Sequence, residues 1–440
     1  MGWPLTGNNL SRFNRLLDDL RQYGDFPFVG SPDDITWLWQ IIREASDNQL
    51  NPALDDVANR SHYWMLRLVA FLGDQVTPPA PAPPTGLLWG PNPSIIDMSV
   101  DGRNLDFSFL DNPSITSLDF RGLTLITDGG SGNGLNLYTP NSVGMNFSFP
   151  DLENVDAPFG FGGEGTIGSI SAPKLKNVQF GMFLYGNPIT SLDFPGLETV
   201  VEGGLDVVDD VPLTSMSWPA LRTVGVGSVG GVTYYAAYSC PNLTTLLHPA
   251  LEQVDSDLVV FGCPLLTALD FPSLVSARIS VADCVSLVSL SVPLWGTLSA
   301  SNAGFTLVNT GLISLVLPSL VEATQGSVDV HNNLFLDSIS LPLYVGNDAP
   351  SANLAFYNNP VLTTLSLPSW SPADGSGLLF SGNSLSASSV NHVLARAVAN
   401  LAYVSGSIDL SGQTPAQPPT GQGATDKTTL QGRGVTVITD

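Results

Sequence analysis

A short phrase returns along most of this chain, and it constrains the fold more than any other feature. Three of its versions are PITSLDFPGLETV, PLTSMSWPALRTV and PLLTALDFPSLVSA. Self-similarity at a fixed period is the signature of a solenoid, in which each coil buries its apolar residues against its neighbours. The prolines of the phrase are 21 to 30 residues apart, at Pro150, Pro173, Pro195, Pro219, Pro249, Pro272, Pro293, Pro318, Pro342 and Pro368.

Two alternating apolar runs recur in each unit. One precedes the proline, as at Leu192 and Phe194, and the other lies upstream in the unit, as at Leu205 and Val207. Alternation at period two predicts a strand with one buried face, and a proline after the run removes a donor and ends the strand at a corner. We therefore predict two short strands per coil, with a buried set that comprises Leu205, Val207, Leu258, Val260, Leu354 and Phe356.

The upstream run continues as L-x-L-x-x-N/C, and its last residue should turn inward to bond backbone groups of the bend. The unit near Asn309 slips by one residue. This pattern resembles the leucine-rich repeat of the bacterial surface-antigen and receptor L-domain type, and repeat domains of phage fibre or decoration proteins. The resemblance implies a solenoid and a recognition role. The residues of this turn ladder are Asn187, Asp210, Cys240, Cys263, Cys284, Asn333, Asn359 and Asn383.

Composition shifts divide the chain into four parts. Residues 1–76 are expected to form a small helical domain for anchoring or oligomerisation, and 77–86 a stiff proline-rich linker. Residues 87–385 are the leucine-rich-repeat-like β solenoid, and 386–440, which break the repeat, are an α/β C-terminal cap. The fold class expected is therefore mainly β.

The N-terminal segment is more aromatic than so short a segment can bury by itself. Its apolar residues are therefore candidates for anchoring to other virion proteins or to copies of the chain, and a homo-oligomer is expected. A helical cap that packs on the next domain is the alternative interpretation. The anchoring candidates are Trp37, Trp39, Ile41, Trp64 and Leu68.

Three cysteines invite a metal-site hypothesis, but Cys240, Cys263 and Cys284 each stand nine residues before a proline, so they occupy one turn of successive coils. A structural ladder is the favoured interpretation, because the short Cys-x-x-Cys spacing typical of zinc sites is missing. No catalytic motif is recognisable. We expect no enzyme activity, no cofactor and no metal.

Charge narrows the choice of partners. The chain carries 15 Lys and Arg against 39 Asp and Glu, a formal net charge of −24, which repels phosphate backbones and argues against nucleic-acid binding. No stretch reaches the ~20 apolar residues of a membrane span, and no secretory signal is recognisable at the N-terminus.

An aromatic row lies two residues before the turn ladder and should point outward. It is a candidate platform for a host-surface glycan or protein, although rings that merely stack between coils would produce the same pattern. The 30-residue coil with GVGSVGGVTYYAAYSC is the best local candidate for binding. The partner-binding candidates are Tyr185, Tyr234, Tyr235, Tyr238, Phe261, His331 and Tyr357.

Two functions compete at this stage. The chain is expected to be a structural recognition protein of a phage particle, located in the virion after assembly in the host cytoplasm. The alternative is a bacterial surface adhesin or a secreted repeat protein. A polysaccharide lyase on a β-helix is a weaker third reading, since 15 basic residues offer little for such a site.

Overall fold

The structure, a computed structural model, describes residues 87–88, 95–97, 117–127, 135–138, 144–162, 167–185, 189–208, 212–226, 234–298, 304–323, 327–346 and 354–440. The predicted helical domain at 1–76, its five anchoring candidates and the linker at 77–86 lie outside these residues. Two compact units divide the chain, at residues 1–178 and 179–440.

The first unit is built from parallel strands that pair from coil to coil. One sheet has the order β1–β3–β6–β9, a second β2–β4–β7–β10, and β5 pairs with β8. Phe120 and Phe149, each directly before a turn, are buried and stack with ring centroids 4.4 Å apart. The strands are β1 (Leu87–Leu88), β2 (Ile95–Asp97), β3 (Ser117–Asp119), β4 (Leu125–Thr127), β5 (Leu135–Tyr138), β6 (Met145–Ser148), β7 (Asn154–Asp156), β8 (Phe159–Gly162), β9 (Ile167–Ser171) and β10 (Asn177–Val178).

The second unit continues the same construction and contains two helices near its end. The strands and helices are β11 (Met182–Tyr185), β12 (Ser191–Asp193), β13 (Thr199–Val200), β14 (Leu205–Val208), β15 (Ser215–Ser217), β16 (Thr223–Val224), β17 (Tyr234–Tyr238), β18 (Thr245–Leu247), β19 (Gln253–Phe261), β20 (Ala268–Asp270), β21 (Ser276–Ala282), β22 (Ser289–Ser291), β23 (Thr297–Leu298), β24 (Phe305–Val308), β25 (Ser314–Val316), β26 (Glu322–Ala323), β27 (Val328–His331), β28 (Ser338–Ser340), β29 (Leu354–Tyr357), β30 (Thr364–Ser366), β31 (Gly377–Leu379), α1 (Ala387–Ala399), β32 (Ser407–Leu410), α2 (Gln422–Arg433) and β33 (Thr436–Thr439).

Parallel pairing stacks these strands into a β-solenoid. The first sheet runs β11–β14–β17–β19–β21–β24–β27–β29–β31–β32–β33. The second consists of β15–β18–β20–β22 and β25–β28–β30. The solenoid has a third side, formed by short parallel pairs such as β13–β16 and β23–β26. The prediction of two strands per coil is therefore wrong for these coils, which have a third strand. These strands have only two residues, too few for a periodic signal.

The predicted core is confirmed. Every residue of the buried set given above is at most 2% exposed, because the apolar positions of β14, β19 and β29 face inward in one register. The predicted corner is present as well: in the Phe194–Leu197 turn, the Leu197 N–H donates to the Phe194 carbonyl at 3.2 Å. Proline at the second place of such a turn has the required φ already.

One turn after the ladder is shorter than the equivalent turn of the preceding coil. After Cys284 two residues precede Leu287, whereas after Thr310 only Gly311 precedes Leu312. A Cβ on Gly311 would lie 2.6 Å from the Val285 carbonyl oxygen, so only glycine fits this tight turn. The one-residue slip seen in the sequence is therefore a one-residue deletion in a turn.

Candidate functional site

The turn ladder connects successive coils through buried side-chain hydrogen bonds. The Asn333 side chain donates to the carbonyl oxygens of Leu307 and His331 at 3.1 and 3.0 Å. Its own backbone N–H donates to Oδ1 of Asn359 at 3.1 Å, and the Asn359 N–H donates to Oδ1 of Asn383 at 2.9 Å. These three asparagines are at most 1% exposed, so their amides satisfy backbone groups that water does not reach.

The cysteines occupy the same place in three earlier coils. The Cys263 thiol lies 3.8 Å from the Ala237 carbonyl and 3.6 Å from that of Phe261. Cys284 makes the equivalent contacts with Val260 and Ala282 at 3.8 and 3.4 Å, and Cys240 is buried likewise. Within the described part of the chain, no group of three or more metal-ligating side chains is assembled. Asn187 and Asp210, the other two ladder candidates, lie outside the described residues.

A left-handed residue precedes each ladder residue from Cys240 to Asn383, and the sequence reasoning missed this row. Its φ is +54° at Ser239, +55° at Asp283 and +57° at Asn332, with Gly262 and Gly382 at the same place of other coils. Asn, Asp and Gly tolerate this conformation better than other residues. The signal was available, because Gly, Asp or Asn stands directly before most ladder residues.

The predicted aromatic row forms one register across the first sheet. Tyr185 aligns with Val208, which aligns with Tyr238 and then Phe261; further along, His331 aligns with Tyr357. Tyr185 and Tyr238 are 42% and 40% exposed. The row therefore lies on the outer face of the sheet.

Within this row the rings form two stacked pairs. Tyr238 and Phe261 have centroids 4.6 Å apart and planes 16° from parallel, and His331 and Tyr357 are 4.6 Å apart at 14°. Because this distance matches the spacing of strands in a sheet, the rings stack along the solenoid axis. Each ring therefore has one face covered by its partner and presents its edge to solvent.

A slot separates the two pairs. Ala282 and Val308 align between Phe261 and His331, so three coil spacings, ~14 Å in total, separate the two inner rings. The small side chains of Ala282 and Val308 form the floor of this slot, and one face of Phe261 and one of His331 form its walls.

Tyr235 has to be corrected as a binding candidate. Its side chain is 0% exposed, because it occupies an inward position of β17 while Tyr238, three residues later, faces outward. Its hydroxyl and Nε2 of the buried His248 form a hydrogen bond of 2.7 Å, and the Trp218 N–H donates to Nδ1 at 3.3 Å. Tyr234 lies in the same strand, and its side chain is outside the described residues.

Charged side chains lie beside the aromatic row on the same face, at two different register positions, and the sequence reasoning did not single them out. Arg278 forms an ion pair with Asp257 of the preceding coil, with Nη2 2.6 Å from Oδ2. Asp329 stands two residues before His331, with 3.9 Å between Oδ1 and Nε2. Burial raises the pKa of Asp329, and the nearby imidazole opposes that shift. These residues stand at outward positions of the same strands, so the alternation of the sequence would have revealed them.

Comparisons with known proteins add no relative. A scan against protein-family models matches none, and searches of curated proteins and of solved structures find no significant match.

Neither helix in the described ranges is long and apolar enough to cross a membrane.

Proposed function

We propose that the chain is a structural recognition protein of a phage particle, a fibre, tail or head decoration. Residues 1–76 attach it to other virion proteins, and the solenoid is displayed for adhesion to the host surface. The observation that carries this proposal is the outward aromatic row, with its slot between Phe261 and His331. Aromatic edges and faces at a regular spacing suit adhesion to an extended partner.

The ligand of this face is a host-surface glycan or protein. Tyr238 and Tyr357 supply hydroxyl-bearing rings, and the charged residues on the same face are Asp257, Arg278 and Asp329. A net charge of −24 disfavours strongly anionic ligands. Neutral glycans and protein surfaces with basic residues are therefore the partners that the charge favours.

The repeat belongs to the leucine-rich class in this proposal, and 386–440 act as its C-terminal cap. The Asn and Cys ladder supports the first part. Helix α1 supports the second: Oγ of Ser389 accepts from the Leu365 N–H at 3.2 Å, and Nε2 of His392 accepts from the Leu367 N–H at 3.1 Å. These side chains take the place of a further strand beside β30.

Binding by the slot is tested with an array of neutral and acidic oligosaccharides and with intact host cells. Phe261→Ala and His331→Ala should each weaken binding about tenfold. Val316→Ala is the matched control, because Val316 is 50% exposed on the second sheet. If both slot variants bind as the wild type does, this face is not the site.

The virion assignment has its own test. Mass spectrometry of purified particles from the strain that encodes the chain should detect it at constant stoichiometry, and deletion of residues 1–76 should abolish incorporation. Detection in the bacterial envelope and not in particles would favour the alternative, a surface adhesin.

A further inference from the structure

The second sheet ends at strand β30, whose outer edge is met by helix α1. Ser366 in this strand faces the preceding strand β28, because its carbonyl accepts from the Leu341 N–H at 3.0 Å. Backbone groups of successive residues in a strand point to opposite sides. The N–H groups of Leu365 and Leu367 therefore point away from β28, towards α1.

Three side chains on one face of α1 bond these outward backbone groups. Ser389, His392 and Arg396 are three and four residues apart, so they lie on the same side of the helix. Nε2 of His392 accepts from the Leu367 N–H at 3.1 Å, and the Ser389 and Arg396 side chains bond backbone groups to either side. His392 thus makes the middle contact of a helix that takes the place of a strand.

The middle contact exists only while the imidazole is neutral. An N–H donor requires a lone pair on Nε2, and a protonated imidazole has none. The hydroxyl of Ser389 and the guanidinium of Arg396 do not change their protonation between neutral and mildly acidic pH. Of the three contacts, the one through His392 is therefore the contact that depends on pH.

The surroundings of His392 disfavour its charged form. Desolvation lowers the pKa of His392, and the Arg396 guanidinium, one turn further along α1, lowers it as well. Residues 363–370, which form β30 and its turn, include no Asp, Glu, Lys or Arg. Helix α2 also packs against α1, and its charged side chains are bonded elsewhere: Asp426 to Gln422, Lys427 to Thr439, and Arg433 to the carbonyls of Val398 and Asn400.

We propose that His392 makes the contact between α1 and β30 an acid-sensitive switch, which opens when the imidazole takes up a proton. The Leu367 N–H then faces a second donor, and the middle of α1 moves away from the strand. The outer edge of the second sheet becomes accessible to water and to a further strand. Because the pKa of His392 in the folded chain lies below its ordinary value of 6.5, the switch is closed above pH 6.5 and opens as the pH falls through the lowered pKa.

Hydrogen exchange of the full chain at about pH 7.5 and about pH 4.5 tests the proposal. The rates are compared as protection factors, which removes the intrinsic effect of pH on exchange. The protection of the Leu367 amide should fall about tenfold more than that of Ile339, in the interior strand β28, because one buried hydrogen bond is lost locally. A global loss of stability in acid would lower both protection factors equally.

Substitutions at position 392 separate the proton from the side chain. His392→Gln supplies an oxygen that accepts from the Leu367 N–H without titrating, so the protection of this amide relative to Ile339 should not change with pH. His392→Lys supplies only donors and should leave the Leu367 amide weakly protected at both pH values. Arg396→Gln removes the neighbouring charge and should move the opening to higher pH.

Three results would overturn the proposal. They are a relative protection of Leu367 that does not change with pH in the wild type, a loss that Ile339 shares equally, and an undiminished loss in His392→Gln. Thermal unfolding shows whether each variant is folded. The comparison of the two amides in the wild type requires no substitution, so it decides the question even where a variant fails to fold.

Discussion

At the scale of single residues, His248 stands where the neighbouring coils have large apolar side chains. Trp218 and Phe271, like His248, directly precede a proline and are buried. Desolvation lowers the pKa of His248 to about 3. Its imidazole is therefore neutral; Nδ1 lies 3.3 Å from the Trp218 nitrogen, and Nε2 shares a hydrogen bond with the Tyr235 hydroxyl.

This burial predicts an acid-sensitive stability. The unfolded chain, with a His pKa near 6.5, binds the proton more readily than the folded chain, so the free energy of unfolding falls as pH drops from about 6.5 towards 3. The full effect is on the order of 5 kcal/mol. Urea unfolding at several pH values should show a flatter pH dependence of the free energy of unfolding for the double variant His248→Phe/Tyr235→Phe. The second substitution removes the Tyr235 hydroxyl, which would lose its partner if His248 alone were replaced. An unchanged slope would show that His248 does not control acid stability.

Asparagine and cysteine contribute unequally to the ladder. Asn359→Ala removes an acceptor for the Asn333 N–H and a donor to the Val330 carbonyl, and should lower the free energy of unfolding by about 2–3 kcal/mol. Cys263→Ala removes only long thiol contacts and should cost about 1 kcal/mol. Urea unfolding of both variants checks the order, and an equal or reversed cost would contradict it.

The left-handed row predicts a stabilising substitution. Ser239 has a φ of +54°, a conformation that Asn adopts more readily. In two other coils the equivalent left-handed residue is an asparagine, Asn332 or Asn358. Ser239→Asn should therefore raise the free energy of unfolding by about 0.5–1 kcal/mol, measured by thermal or urea unfolding. Asn332→Ala is the opposite change and should be destabilising.

At the scale of elements, helix α1 is anchored to the end of the second sheet. Ser386 caps the helix by accepting from the Ser389 N–H at 3.2 Å. Ser389 accepts from Leu365 and donates to the Thr363 carbonyl at 2.9 Å. At the other end of the helix, Arg396 donates to the Trp370 carbonyl at 2.9 Å. The helix thus satisfies backbone groups that the last strand of the sheet would otherwise leave unpaired.

Removal of one of these contacts should loosen the edge locally. Ser389→Ala leaves the buried Leu365 N–H without its acceptor and should cost about 1–2 kcal/mol. Hydrogen exchange of the Leu365 amide should accelerate, while that of Ile339, in the interior strand β28, should not change. Equal acceleration at both amides would indicate global destabilisation and contradict a local edge contact.

At the scale of the whole molecule, stability is distributed among neighbouring coils. Each strand of a coil pairs with the equivalent strand of the preceding and of the following coil, as in β24–β27 and β27–β29. Folding free energy is then nearly a sum of coil and interface contributions. Outward-facing residues are consequently free to vary, and the aromatic row lies on that surface.

Much of the fold could be predicted from the sequence because it depends on periodicity. Proline spacing, alternation and the Asn or Cys ladder identified stacked coils, and Leu205, Val207 and Phe356 are buried as expected. These features follow from local chemistry: a strand alternates, and proline cannot continue a ladder. The sequence alone therefore determined that the chain is a solenoid and which apolar residues fill it.

Only the tertiary structure decided which residues meet on the surface. Tyr235 looked like a binding residue but turns inward to His248, because its neighbours in β17 set the phase of the strand. The stacked pairs and the slot at Ala282 and Val308 arise from register between coils 21 to 26 residues apart. Such contacts depend on how far each turn advances the chain, and a one-residue deletion is enough to change them.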